Sequence, residues 1–123
     1  MYYFPKVKML RGELKRSEVR NSVKYQLTTK EFIQQRGHTT FRIALENIIG
    51  FVECDDAEFS RHVHRLSSGR SDGFGRAYKI VASVLHLVSP SGVVEQAQVS
   101  FYTRLSRPFA QQLEDCLQSS SLA

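Results

Sequence analysis

The chain has 123 residues, 41% of them hydrophobic, with a net charge of +5. That size fits one domain whose core needs no covalent staples. The charge favours anionic partners, and no stretch approaches the ~18 apolar residues of a membrane span.

The opening, Met1-Tyr2-Tyr3-Phe4-Pro5-Lys6, lacks the basic segment and apolar run of a secretory signal. Two cysteines, Cys54 and Cys116, cannot make a disulfide framework. They read as reduced thiols or as one bridge. The expectation is a cytoplasmic protein, with peripheral contact at a membrane surface as a further option.

In chain order, Val7 to Leu14 reads as a strand with a bulge at Gly12, and Ser17 to Ser22 as a polar turn. Val23, Tyr25 and Leu27 alternate with Lys24, Gln26 and Thr28, the period of a half-buried strand. Thr28 to Lys30 is a turn, and Glu31 to Gln35 the next strand. Arg36-Gly37-His38 is a hairpin signal. Phe41, Ile43 and Leu45 continue the alternation, Glu46-Asn47 breaks it, and Ile48 to Glu53 starts again.

Residues 54–77 read as a polar surface loop whose glycine- and serine-rich part, 67–76, is flexible. Tyr78 to Val88 is apolar on both faces and reads as a central strand. Ser89 to Gly92 is a turn, and Val93 to Thr103 is the last strand, with Ala97, Val99 and Phe101 on one face. Ser106 is a good helix N-cap, Pro108 suits a first turn, and Phe109, Leu113, Cys116 and Leu117 form an apolar stripe. The helix spans Ser106 to Ser119, and residues 120–123 are a frayed tail. Residues 1–119 thus form a single domain of α+β class, about seven mostly antiparallel strands followed by one C-terminal α-helix.

Three stretches carry a resemblance to a known superfold. They are Arg11-Gly12-Glu13-Leu14, then Val23 to Ile33 with its Leu27-Thr28-Thr29 turn, then Phe41 to Ile49 with Leu45-Glu46-Asn47-Ile48 stepping into the next strand. With Tyr78 to Leu117 they resemble GRAM and pleckstrin-homology-like (PH-like) domains. The resemblance implies a partly open barrel plugged by the closing helix, and a non-catalytic binding or recruitment function. The chain departs from typical PH domains in having no Trp, and in the spacing of its basic residues across the first hairpin.

Charge is uneven: residues 1–48 hold ten Lys/Arg against four Asp/Glu. Lys6, Lys8, Arg11, Lys15, Arg16, Arg20 and Lys24 are the candidate ligand-binding residues, since two neighbouring strands and their loop would gather them at one barrel mouth. Each such cation near an anionic membrane contributes about 1 kcal/mol. Expected partners are an acidic peptide or protein and an anionic phospholipid headgroup, with nucleic acid as an alternative because Tyr2, Tyr3, Phe4, Tyr25 and Phe32 lie among the cations. A homodimer through an exposed strand edge is a further option. Arg70, Phe74 and Arg76 are candidate loop contacts.

The remaining constellations are weaker. Cys54, His62 and His64 lie in a metal-capable stretch, but no Cys-x-x-Cys pair completes a zinc site. Arg61 and Arg65 fit half of the PilZ cyclic-dinucleotide motif, without the rest. Gly69 to Arg76 lacks the lysine of a phosphate-binding P-loop. No cofactor and no catalytic residue is assigned; a small metal-dependent or nucleophilic enzyme is the alternative class.

Overall fold

The computed structural model describes residues 11–63 and 75–121. They form seven strands and two helices: β1 (Leu14–Arg20), β2 (Val23–Thr28), β3 (Glu31–Arg36), β4 (Thr39–Ala44), β5 (Ile48–Glu53), α1 (Asp56–Val63), β6 (Arg76–Ser89), β7 (Gly92–Leu105) and α2 (Arg107–Ser121). A 3-10 turn at Leu45–Asn47 joins β4 to β5. All strand pairings are antiparallel, so the α+β reading holds.

The strands β1 to β4 form a meander. The 14-residue β6 then does double duty along one edge. Its end pairs with β4 (His86 to Val88 against Arg42 to Thr40), and its start pairs with β5 (Tyr78 to Ala82 against Glu53 to Ile48). Its other edge carries β7 over the full length. Among the described residues β1 pairs only with β2, and β5 and β7 only with β6, so the sheet is open rather than closed.

The sheet nevertheless curls around its core. Thr103 Oγ1 donates to Gln34 Oε1 at 2.7 Å, joining the inner faces of β7 and β3. Phe101 of β7 also lies edge-on to Phe32 of β3, 6.4 Å between centroids. Helix α2 fills the curl: Phe109 and Leu113 are 1% and 0% exposed, and Phe109 meets Tyr25 and Phe32 edge-on. Burying large side chains like these contributes about 1.5–3 kcal/mol each, the main force holding sheet and helix together. Ser106 caps the helix as its sequence position suggests, accepting from Phe109 N at 3.2 Å.

Several expectations need correction. The first described strand is Leu14–Arg20, running through the stretch read as a turn; of the strand expected over Val7 to Leu14, residues 7–10 lie outside the described residues. The turn itself is the pair Asn21-Ser22, both at positive φ (52° and 68°), the signature of a tight two-residue hairpin. The stretch read as a polar loop contains α1, so the described residues hold two helices rather than one. Arg76 opens β6 instead of lying in a loop, because Gly75 at φ 59° brings the chain against the Leu105 carbonyl, where a Cβ would clash. The last strand buries only its second half: Ala97 is exposed, and Gln98 at φ 51° breaks the strand geometry there. The closing helix continues to Ser121. No helix among the described residues is long and apolar enough to cross a membrane.

Candidate functional site

The β1–β2 hairpin carries the described part of the basic cluster, and the structure divides it. Lys15, Arg16 and Arg20 lie on the α2 side. Arg16 Nη1 donates to Gln112 Oε1 at 3.2 Å, and Arg16 and Arg20 both ion-pair with Glu18. Lys15 pairs with Glu13 at 3.6 Å. A bulge between Leu14 and Arg16 turns the start of β1 and sets Lys15 near Cys116. Lys24 lies opposite Val19, on the other face from the Glu18–Tyr25 pair. The Arg11 backbone N–H donates to Glu31 Oε2, while its side chain is exposed. Lys6, Lys8, Arg70 and Phe74 lie outside the described residues. Arg76 ion-pairs with Glu53 at 3.1 Å, across β5 and β6.

Glu18 organises this face. Its carboxylate accepts from Arg16 and from Ser106 Oγ at 2.8 Å, tying β1 to the first turn of α2. Partial burial works against its charge, but the bonds from Arg16, Ser106 and Arg20 outweigh it and hold the carboxyl below its ordinary pKa. Two Glu among five Lys/Arg in residues 11–24 leave the hairpin net positive.

The opposite side of α2 has the opposite character. Between α2, the 3-10 turn and β5 runs an open groove of about 500 Å³, lined by Leu45, Ile48, Ile49, Gly50, Phe51 and Leu117 with Glu46, Glu114 and Gln118. Among the described residues no Lys or Arg lines it. Ile49 is 71% exposed and Val52 55%. Sequence reasoning concentrated on the cations and missed this groove. Its acidic residues lie far apart in sequence and meet only because α2 packs beside the 3-10 turn.

A third cluster holds α1 on the outer face of β6–β7. Asp55 caps the helix by accepting from Glu58 N at 2.7 Å. Arg104 bonds Asp56 at 2.6 Å and lies over the Phe59 ring, 4.9 Å from its centroid. Tyr102 donates its hydroxyl proton to Glu58 Oε2 at 3.0 Å and stacks on His62 at 4.3 Å. Burial first, then the Glu58 bond and charge, push the Tyr102 phenol up, with Lys79 opposing. The signal in the sequence was Asp55-Asp56-Ala57-Glu58, an N-cap with Glu three residues on.

That helix also revises the metal and nucleophile candidates. His62 lies on a helix against Tyr102, not on a strand face with His64, which is outside the described residues. Among the described residues no three His, Cys, Asp or Glu side chains group as metal ligands. Cys54 and Cys116 are free thiols. Burial, and for Cys54 also Glu58 and Asp55, push both thiols up, away from the nucleophilic thiolate. Tyr25 and Phe32 are core residues and unavailable to stack on bases; Tyr2, Tyr3 and Phe4 lie outside the described residues.

Comparison with protein-family models, with curated proteins and with solved structures finds no match to this chain.

Proposed function

We propose that this chain is a non-catalytic binding or recruitment module of PH-like, partly open barrel architecture, and that the basic face of β1–β2 engages an acidic peptide or acidic protein surface. The observation that carries the reading is that Lys15, Arg16 and Arg20 lie along one side of α2, where three cations outnumber the two carboxylates, Glu13 and Glu18, that they pair with. Glu18 and Gln112 hold Arg16 in place, so little side-chain freedom is lost when a carboxylate arrives. The curl of seven antiparallel strands around a C-terminal helix supports the architectural part.

The test is fluorescence anisotropy with a labelled Glu-rich peptide at low and high salt. Binding at low salt that weakens as salt screens the charges is the expected result. No binding at low salt sinks the reading. Co-sedimentation with phosphatidylserine vesicles in place of peptide binding would move it to a lipid headgroup, and a steep salt slope in filter binding to nucleic acid would move it there.

A further inference from the structure

The two sides of α2 are complementary to each other. On one side β1 presents its cations, with Leu14 at its start 46% exposed. On the other, the groove presents carboxylates and exposed Ile49. β1 has seven residues and β5 has six, so the two edges match in length. Each pairs with one strand only among the described residues. An edge of this kind is a template for a further strand, and cross-strand charge decides which strand is accepted.

Two groove copies would bring the Glu46 and Glu114 carboxylates together. Setting the net-positive hairpin against the groove instead brings opposite net charges face to face and covers Ile49.

We infer that the chain self-associates, with β1 of one copy entering the β5–α2 groove of a second copy. The inference deepens the proposed function and rests on it, naming an acidic protein surface for the basic face. Assembly and recruitment then compete for Lys15, Arg16 and Arg20. A contact this small is weak and reversible, so occupancy depends on local concentration.

Sedimentation velocity of the full chain over a concentration series at low salt tests it. The weight-average sedimentation coefficient rises with concentration, and association weakens in about 1 M salt, where the Debye length is ~3 Å. The double variant Glu46→Lys/Glu114→Lys and the double variant Lys15→Glu/Arg20→Glu each raise the dissociation constant by at least about tenfold. Mixing the two at equal amounts restores association, because one keeps a native β1 and the other a native groove. That restoration also shows both variants to be folded. Ile49→Asp leaves β1 and its cations in place and weakens association by a similar factor.

A monomer at every concentration overturns the inference. So does association that survives the β1 double variant, which would mark a groove-to-groove contact. The Glu-rich peptide assay separates the two readings: peptide binding by a strictly monomeric protein removes self-association and leaves the recruitment function standing.

Discussion

Helix α2 lies inside the curl of the sheet and is held by buried Phe109 and Leu113, whereas α1 lies on the outer face of β6–β7 and is held by Arg104, Tyr102 and Glu58. The inner contact is apolar and removed from water. The outer one is polar, and its acidic partners are largely solvated; the Asp56 side chain is 79% exposed. The Arg104 side chain that meets it is 9% exposed, so the pair is half buried. Loss of α2 would uncover the apolar core, so we expect α1 to open locally at lower cost than α2.

The sharpest way to break this contrast is Leu113→Asp. It forfeits at least the ~2–5 kcal/mol of a leucine truncation and adds the cost of burying a carboxyl, against a total stability of about 5–15 kcal/mol. Circular dichroism should show an unfolded or grossly destabilised chain. Tyr102→Phe removes the bond to Glu58 and leaves the ring stacked on His62. The expected cost is about 1 kcal/mol, confined to α1, so its amides exchange roughly fivefold faster while those of β6 and β7 do not.

Glu18→Gln tests the seam between β1 and α2. The folded-state pKa of Glu18 is depressed, so its contribution is fully present above the ordinary glutamate value of about 4.3 and is lost as pH falls through the lower folded value. The variant should therefore be less stable than the native chain near neutrality. The difference should shrink on acidification, read from urea midpoints at several pH values. The smallest effect belongs to Gln112→Asp on the partly exposed side of α2, expected within about 0.5 kcal/mol of the native chain. A large loss there would mean that the Arg16 contact, rather than the apolar stripe, seats the helix.

The two helices also show how much the sequence discloses. Stripe, cap and Pro108 made α2 legible because its stability comes from a face that repeats every 3.6 residues. Alternation revealed β2 and β4 for the same reason, and β6 was read from a run apolar on both faces. Helix α1 is short, with only Phe59 and Val63 at that spacing, and its partners, Tyr102 and Arg104, lie forty or more residues away and show themselves only after β7 has folded back. Only the Asp55–Glu58 cap hinted at it. β1 was displaced because its cations mask the alternation and its turn depends on positive φ at Asn21 and Ser22, residues that tolerate that geometry without announcing it. Of the candidate site, the cations were legible by composition alone. The carboxylates that hold them, Glu13 and Glu18, and the acidic groove across the helix required the fold.

The 14-residue strand β6 has a consequence for how the protein is made. β4 and β5 share one of its edges and β7 takes the other, so none of these pairings can form until the second half of the chain exists. The plug arrives last of all. During synthesis, at ~5–20 residues per second, the β1–β4 meander leaves the ribosome with Leu27, Phe32 and Ile43 uncovered, and it waits seconds for β6 and α2. A nascent chain in that interval is a natural client for a chaperone. A ribosome stalled before Arg107 should present an aggregation-prone sheet with no lid.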